Sequence, residues 1–361
     1  MAIEYPLILP TTPGLRSVEF HARQISGMTA SPFTGQQQVY EWSGEWWEAD
    51  CSLPPMARAA AEEWLATLIA LRGGAGTFLL GDRGGKNPRG SGAGYPAVDY
   101  DSQLGKVLKT IGWNPNVSDI LKKGDYLQIV WNYEPCPRAF DDPHWVKEQC
   151  TVAANTVVAP NGVTEAERAT PDSGAINAIL SATDTSYPAR YKGLTWFFSV
   201  WLKAASGTPN IKLYFYDPGS GFEITVDCAL TTSWQRFVLS AMLPASVGIL
   251  RVLIGGGNSW PESDGPIDVW GAALYCPILN ARLHKVLTDC YSGPYGHGYA
   301  TGNTTGVYGF DIWPRLRESP PDFSALILTD AKGTFRLREA PGWTLDEMLH
   351  YGVGFKAMEA F

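Results

Sequence analysis

The stretch Gly124-Asp-Tyr-Leu-Gln-Ile-Val-Trp131 has the pattern of a short strand, and Ala281-Arg-Leu-His-Lys-Val-Leu-Thr288 has the same pattern. Both are half-apolar with a period of two, which is typical of neighbouring strands in one small sheet. A hairpin loop between such strands needs roughly two to five residues. The intervening residues 133–277 are enough for a folded domain, so the sequence predicts an insertion between two paired strands.

The insertion predicts a discontinuous domain arrangement. Each seam carries a Cys-Pro step, at Cys136 and Cys276, and proline stops a strand from continuing. We expect residues 133–277 (the central segment) to fold as one inserted β-sandwich of the jelly-roll type. Residues 1–132 and 278–361 (the flanking segments) are expected to form the interrupted domain, a β-sandwich or barrel with one main helix.

The composition favours a mainly β protein. The 361 residues are 45% hydrophobic and 18% charged, and 38 glycines with 26 prolines favour many short strands joined by turns. A formal net charge of −8 argues against a nucleic-acid-binding surface, which needs lysine and arginine. No apolar run approaches the roughly 18 residues that span a bilayer, and the first residues lack a signal-peptide pattern. We expect synthesis in the cytoplasm, no membrane insertion and no sequence-specific contact with nucleic acid.

One hairpin and one helix are predicted near the N-terminus. Residues 36–53 have the pattern of two strands joined by a two-residue turn at Ser43-Gly44. Pro54-Pro55 is placed to open a helix, whose apolar residues recur at helical spacing as far as Leu71.

The cysteines and histidines predict neither a metal site nor a cofactor. The six cysteines include no Cys-x-x-Cys pair, and the five histidines include no pair at metal-ligand spacing. Without an export signal the cysteines are expected to be reduced thiols. Cys136 and Cys276 are the exception, because an inserted domain leaves its host near the point of entry, and a disulfide between them stays open.

Two strands of the central segment combine an aliphatic face with an aromatic and polar one. In Thr195–Lys203 the second face carries Trp201 and Lys203, and in Ile211–Tyr216 it carries Tyr214 with Tyr216. The aliphatic faces are the predicted core. Aromatic rings beside polar groups favour sugar binding, because sugar C–H faces stack on rings while polar groups bond the hydroxyls.

These patterns define the candidate ligand contacts. The candidate saccharide-binding residues are Trp201, Lys203, Tyr214, Tyr216 and Trp260, the last because it lies on the predicted loop Gly255–Pro261. Packing alone is the alternative, since aromatic residues are common in strands. Asp268 is a candidate ligand for a structural Ca²⁺, because hard carboxylate oxygens suit that ion.

No catalytic constellation is apparent, and we expect a protein that is not an enzyme. The sequence lacks a Gly-x-Ser-x-Gly elbow. Glycoside hydrolysis needs two carboxylates across a cleft. The possible pairs are Glu45 with Glu48, Asp141 with Asp142, and Asp217 with Glu223. Each pair also fits a solvated strand edge or a turn.

The central segment resembles the carbohydrate-binding-module-like jelly rolls found in many phage tail proteins. The matching motifs are Phe140-Asp-Asp-Pro-His-Trp145, Ala159-Pro-Asn-Gly162, Phe198-Ser-Val-Trp-Leu-Lys-Ala204, Thr232-Ser-Trp-Gln-Arg-Phe237 and Val269-Trp-Gly-Ala272. They follow one another in the expected order over most of the segment.

The flanking segments resemble the distal tail proteins of long-tailed phages with non-contractile tails. The matching motifs are Ser31-Pro-Phe-Thr34, Trp47-Glu-Ala-Asp50, the helix after Leu53-Pro-Pro-Met56, Gly76-Thr-Phe-Leu-Leu-Gly-Asp82, Asp311-Ile-Trp-Pro-Arg315, Gly333-Thr-Phe335 and Tyr351-Gly-Val-Gly-Phe355. The resemblance implies a hexameric ring at the virion tail tip that joins the tail tube to the hub and host-recognition proteins. It also implies an inserted domain that binds saccharide on the host surface. A carbohydrate-active enzyme and a purely architectural insertion that docks another tail protein are the alternatives.

Overall fold

The computed structural model of the protein describes residues 3, 5–99, 102–131, 139–184, 192–256, 260–302 and 306–360. Antiparallel strands provide most of the regular structure, and these ranges contain one α-helix. The predicted mainly β fold is therefore confirmed. Within the same ranges, no helix has the length and apolar character needed to cross a membrane.

Twenty-five strands and one α-helix follow one another along the described chain, with a short 3-10 helix at Glu262–Asp264. Before the central segment they are β1 (Ser17–Ala30), β2 (Gln37–Ser52), α1 (Arg58–Ala70), β3 (Phe78–Leu80), β4 (Gly94–Val98), β5 (Gly105–Leu108), β6 (Thr110–Trp113) and β7 (Tyr126–Val130). Within it they are β8 (Trp145–Glu148), β9 (Cys150–Val158), β10 (Thr164–Pro171), β11 (Ile179–Asp184), β12 (Thr195–Ala204), β13 (Asn210–Asp217), β14 (Phe222–Ala229), β15 (Gln235–Met242), β16 (Leu250–Gly255) and β17 (Ile267–Tyr275). After it they are β18 (Arg282–Val286), β19 (Cys290–Ser292), β20 (Gly298–Ala300), β21 (Phe310–Leu316), β22 (Ala325–Ile327), β23 (Gly333–Leu337), β24 (Gly342–Leu345) and β25 (Tyr351–Glu359).

Strands from both flanking segments share two sheets. The first sheet has the order β1-β2-β25-β23-β3, with β24 beside β25, and the second has the order β5-β21-β18-β7-β22-β4-β6. The two strands that border the central segment, β7 and β18, pair antiparallel, with Arg282 opposite Ile129 and Lys285 opposite Tyr126. The chain therefore leaves the second sheet and returns to it at neighbouring positions. The boundaries of the two predicted domains stay a prediction.

The central segment contains two five-stranded sheets. The inner sheet has the order β15-β12-β17-β10-β9, and the outer sheet has the order β14-β13-β16-β11-β8. The aliphatic faces predicted as core are confirmed as buried: Trp196, Phe198, Val200 and Leu202 on β12, and Ile211, Leu213 and Phe215 on β13. They share one apolar core between the two sheets. Each large apolar side chain buried there contributes about 1.5–3 kcal/mol.

The free side of the inner sheet packs on the flanking segments. The shared apolar cluster contains Ala97, Ile111 and Phe323 of the flanking segments with Val157, Ala159, Ala166, Trp270 and Ala273 of the central segment. The rings of Trp270 and Phe323 meet edge to face, with centroids 4.6 Å apart. The Arg236 guanidinium also donates a hydrogen bond across this boundary, to the carbonyl of Tyr95. One face of the central segment is therefore covered.

The N-terminal hairpin differs from the prediction. Ser43-Gly44 is not a turn, because Gln37–Ser52 is one continuous strand paired with β1. Gly44 is needed for a different reason: a Cβ there would lie 2.7 Å from the Ile25 side chain, which crosses it from β1. The turn lies nearer the N-terminus, where Ser31 pairs with Gln36 and Gly35 adopts a φ of +68°. The hairpin is consequently much longer than the sequence pattern indicates.

The predicted helix is present as α1. It buries Ala61, Trp64, Leu65 and Leu68. The Trp64 indole N–H donates to the Pro13 carbonyl at 3.1 Å. Ile69, which the periodicity places on the apolar stripe, is 56% exposed instead.

Candidate functional site

Two of the five candidate saccharide residues lie together on the exposed face of the outer sheet. Tyr214 and Tyr216 alternate along β13 with the buried Leu213 and Phe215, so both phenol rings project away from the core. Both tyrosines are half-buried. Alternate residues of a strand lie about 6.5 Å apart, which places the two rings side by side.

Charged residues surround this pair on the neighbouring strands. Tyr216 lies between Glu223 of β14 and Arg251 of β16, and Tyr214 lies between Thr225 and Leu253. One pair further along, the Lys212 Nζ lies 3.1 Å from Asp227 Oδ1. The face thus combines two aromatic rings with groups of both charges.

Arg251 is held in place by the strand next to its own. Its Nε donates to Thr183 Oγ1 at 3.1 Å and its Nη2 donates to Ser181 Oγ at 3.3 Å. The same Nη2 lies 3.5 Å from a carboxylate oxygen of Glu148 on β8. These contacts fix a guanidinium beside Tyr216, where it can donate to an oxygen-rich ligand.

The hydroxyl group of Tyr214 stays protonated at neutral pH. Burial raises the pKa of the Tyr214 hydroxyl, and the carboxylates of Glu223 and Asp227 raise it further. The group can therefore both donate and accept a hydrogen bond, as a partner for a neutral hydroxyl must.

Trp201 and Lys203 do not belong to this face. They lie on β12 of the inner sheet, on the side that packs against the flanking segments. Trp201 is half-buried against the apolar cluster that contains Phe323. Lys203 Nζ lies 3.4 Å from Asp268 Oδ2 and 4.9 Å from the ring centre of Trp234. Trp201 and Tyr214 therefore do not share one surface, because their strands belong to opposite sheets.

Trp260 lies on a loop, as expected, between β16 and β17. Its ring is not exposed there, however, but fully buried in the core between the two sheets. Its indole N–H donates to the Gly265 carbonyl at 3.0 Å, and its backbone N–H donates to Asn177 at 3.2 Å. A ring with this burial and these partners offers no face to a ligand.

Asp268, the candidate Ca²⁺ ligand, is paired with cationic side chains instead. Arg168 contacts both of its oxygens, with Nε at 2.7 Å and Nη2 at 3.2 Å, and Lys203 lies beside the second oxygen. A carboxylate already neutralised by two cations is a poor calcium ligand. Across the residues described, no group of three or more acidic, histidine or cysteine side chains could hold a metal ion.

The carboxylate pairs singled out in the sequence have structural partners. Asp217 accepts hydrogen bonds from the N–H groups of Gly219 and Gly248, which close the loops at one end of the outer sheet. Glu45 binds Arg315 through Nε and Nη2, at 3.1 and 2.9 Å. Asp142 accepts from the backbone N–H of His144 at 2.8 Å. In each of the three carboxylate pairs, at least one carboxylate therefore stabilises the fold.

Five of the cysteines are free and buried: Cys51, Cys150, Cys228, Cys276 and Cys290. Burial raises the pKa of Cys276 to about 11, which keeps it a thiol at neutral pH. Cys136, the other member of the disulfide left open in the sequence, lies outside the described residues.

Arg251 and Glu148 were not among the sequence candidates. Alternation along one strand indicates which residues share a face, but not which strands lie side by side. These two residues are far apart in the chain and meet through β11, so no local pattern could have indicated them.

No protein-family model matches the sequence, and no curated protein matches it. Among solved structures, the chain is similar to the CBM22-1 xylan-binding domain from Paenibacillus barcinonensis Xyn10C, with 14% identity over 43% of this chain and 96% of that one, at a TM-score of 0.30. It is similar to TmCBM61 in complex with β-1,4-galactotriose, with 14% identity over 40% of this chain and 98% of that one, at 0.29. It is also similar to the enzymatically active domain of tailspike protein 4 of bacteriophage CBA120, with 12% identity over 37% of this chain, at 0.29. The match spans 19% of that tailspike domain, and likenesses of this degree assign no function.

Proposed function

We propose that the exposed face of the outer sheet binds a saccharide. The observation that carries this proposal is the pairing of Tyr214 and Tyr216 beside the fixed guanidinium of Arg251, on the face that the described residues of the flanking segments leave uncovered. The two rings can stack on the C–H faces of sugar units, while Arg251 and Glu148 bond hydroxyl groups. A shallow face of this kind buries little area and binds weakly.

Glycan-array binding by the purified full-length protein tests this function. We expect the double variant Tyr214→Ala with Tyr216→Ala to lose about tenfold or more in affinity for any glycan that the native protein binds, because each aromatic contact contributes about 0.5–1.5 kcal/mol in addition to its buried area. Tyr295→Ala is the matched control, since Tyr295 is 57% exposed but lies outside this face. Native protein that binds no glycan, or a double variant that binds as tightly as the native protein, would contradict the proposal.

We propose further that binding is not followed by cleavage. Glu148 and Asp227, two of the carboxylates near the tyrosines, face cationic partners in Arg251 and Lys212. Both then serve as ion-pair partners on a recognition surface, without the separate acid and base that glycoside hydrolysis requires. Incubation with host surface polysaccharide should leave its size distribution unchanged, whereas released oligosaccharide would support the enzymatic alternative.

We also propose that the chain is a structural subunit of a phage tail tip, where copies assemble into a hexameric ring that contacts tube and hub proteins. The motifs of the flanking segments support this proposal. So does the outer half of the β1–β2 hairpin, which carries apolar side chains without cover: Ile25, Met28, Phe33, Val39, Tyr40 and Trp42. Exposed apolar patches of this kind mark protein-binding surfaces.

A ring would strengthen saccharide binding without a new contact. Six weak sites on one particle raise the apparent affinity through avidity, provided that they face the same surface. This expectation separates recognition from a purely architectural insertion, since an insertion that only docks another tail protein needs no affinity for glycans.

A further inference from the structure

A cavity of about 270 Å³ lies between the central and flanking segments, beside β15 at the edge of the inner sheet. Arg236 of β15 and Tyr275 of β17 line it from the central segment. Residues of β4 and β22, with their neighbours in the chain, line it from the flanking segments. The volume is close to the lower end of the range of about 300–1,000 Å³ that small-molecule sites occupy. One molecule of the size of a single sugar therefore fits.

Arg236 brings a positive charge to this cavity, and the described chain gives it no counter-ion. Its Nη2 donates to Ser199 Oγ at 2.8 Å, and its Nη1 donates to the Tyr95 carbonyl. Both acceptors are neutral, so neither compensates the charge. Among the described residues, no acidic side chain lines the cavity or forms an ion pair with Arg236.

The guanidinium of Arg236 also keeps unused hydrogen-bond donors. An arginine side chain has five N–H groups, and the two bonds to Ser199 and Tyr95 leave one N–H on each Nη atom for a further acceptor. Nε is buried and has no hydrogen-bond partner in the protein. Burial lowers the pKa of Arg236, which reflects the cost of holding a charge away from water. A bound anion would offset that cost.

Tyr275 supplies a second donor to the same cavity. Its ring stacks on that of Phe197, with centroids 5.4 Å apart and planes 9° apart, and this contact fixes its orientation. Burial raises the pKa of the Tyr275 hydroxyl, so the group stays protonated at neutral pH and can donate a hydrogen bond. Thr329 adds an exposed hydroxyl group to the lining.

The rest of the lining is largely apolar. Pro96, Leu326 and Leu328 contribute C–H surface from the flanking segments. A ligand that matches the whole cavity has one carboxylate for the guanidinium, hydroxyl groups for the phenol and the threonine, and a C–H face for the apolar wall. A single cation favours such a monoanion over a phosphate group, which carries about −1.5 to −2 charges.

We propose that this cavity binds a sugar acid, with its carboxylate on the Nη groups of Arg236 and a hydroxyl group accepting from Tyr275. A charge-assisted bond between guanidinium and carboxylate is stronger than the bonds that Arg236 makes to neutral oxygens. Both segments contribute walls, so neither of them holds the complete site. The same chemistry is carried by a free uronic acid and by a uronic acid at the end of an acidic polysaccharide. The site is separate from the outer-sheet face and does not depend on the saccharide proposed there.

Calorimetric titration of the full-length protein with D-glucuronate and D-galacturonate tests this site. D-Glucuronamide is the matched control, because it replaces the carboxylate by a neutral amide and keeps the ring. It should bind at least about tenfold more weakly than glucuronate. An oligosaccharide that ends in glucuronate distinguishes the sources: binding as tight as that of glucuronate indicates a polymer end, and no binding indicates a free acid. Equal binding of acid and amide, or no heat with either acid, overturns the proposal.

Variants assign the binding to this cavity. Arg236→Gln removes the charge and should abolish binding of the acids, and Tyr275→Phe, which keeps the stacked ring, should weaken it about fivefold. Arg58→Gln, on the exposed side of α1, is the matched control and should bind as the native protein does. If Arg236→Gln fails to fold, Tyr275→Phe and the comparison of acid with amide on the native protein decide. Unchanged binding by Arg236→Gln overturns the proposal, as does loss of binding in Arg251→Gln, which would assign the acid to the outer-sheet face.

Discussion

Glu167 is a buried carboxyl group on β10 of the central segment. One of its oxygens accepts the backbone N–H of Phe140 at 2.5 Å, and Phe140 in turn packs on Trp145, with ring centroids 4.5 Å apart. The residue therefore ties the incoming chain to β10 of the inner sheet. Burial raises the pKa of Glu167 to about 7, and the neighbouring Asp141 contributes to the rise.

The stability of the folded protein should therefore fall as pH rises through neutrality. The Glu167 carboxyl holds its proton up to about pH 7 when folded and up to its usual value of 4.5 when unfolded, so the folded state binds more protons between these values. Its contribution is fully present below pH 4.5 and is lost above pH 7. Glu167→Gln keeps the acceptor for Phe140 but cannot ionise. We expect its unfolding free energy, measured relative to that of the native protein, to be about 2 kcal/mol higher at pH 8 than at pH 5. Denaturant unfolding at the two pH values measures the difference, and equal differences at both would contradict it.

Residue type and alternation predicted only part of the candidate site. The same pattern placed Trp201 and Tyr214 on non-core faces, and this is correct for both. Whether each face is covered depends on tertiary contacts. Trp201 packs against the apolar cluster that contains Phe323, whereas no such cluster in the described chain packs against Tyr214. Trp260 is a loop residue, as the preceding glycines indicated, but its ring packs into the core and is fully buried.

The outer half of the β1–β2 hairpin carries several exposed apolar side chains. Met28 and Val39 face each other across it, and each is 64% exposed. The register shifts between Gln24 and Ser26, which introduces an irregularity at the base of this outer half. A surface of this kind is stable in water when a partner covers it.

We expect Met28→Lys with Val39→Glu to prevent ring assembly without unfolding the subunit. The opposite charges pair across the strands, but they oppose burial against a second copy. Light scattering and electron micrographs should show rings for the native protein and monomers with an unchanged melting temperature for the variant. Ile176→Lys, at a position 72% exposed in the central segment, is the control and should still form rings. Native protein that stays monomeric at high concentration would contradict the hexamer.

At the scale of elements, the sequence predicted strands better than turns. Period-two alternation located the core-facing residues of β12 and β13 because one face of each is buried. The hairpin turn was misplaced because Gly44 has two possible meanings, a turn residue or a site where another side chain crosses the strand. Only the position of Ile25 decides between them, and that position depends on pairing.

The described chain contains two large sheets that use both ends of the chain, two that use its middle, and a two-stranded sheet of β19 and β20. Because β7 and β18 are adjacent partners, a short link from Trp131 to Ala281 would close them into a hairpin. The sequence could indicate this topology from two matching strand patterns. It could not indicate that the inner sheet rests on Ala97 and Phe323, because these contacts join residues with no shared local pattern.

Replacing residues 133–280 by a short glycine-rich link should leave a chain that unfolds cooperatively but associates in solution. Removal of the inner sheet exposes Phe323, which is now 1% exposed. We expect Phe323→Ser in the shortened chain to remove this additional association and return it to the assembly state of the full chain, while the same change in the full chain should cost about 3 kcal/mol or more through a cavity beside Trp270. Thermal unfolding by circular dichroism and sedimentation measure both effects. A shortened chain without a cooperative transition would show that the flanking segments do not form a fold of their own.

The packing of the inner sheet on the flanking segments has a mechanical consequence. A central segment joined to the flanking segments by two peptides alone would rotate freely. The contacts of the inner sheet, such as Arg236 with Tyr95 and Trp270 with Phe323, instead hold it at a constant angle to the flanking segments. Under the proposed function, a glycan gripped by the tyrosines would orient the particle as well as hold it. Attachment and alignment would then be one event, and torque from the cell surface would pass directly into the ring.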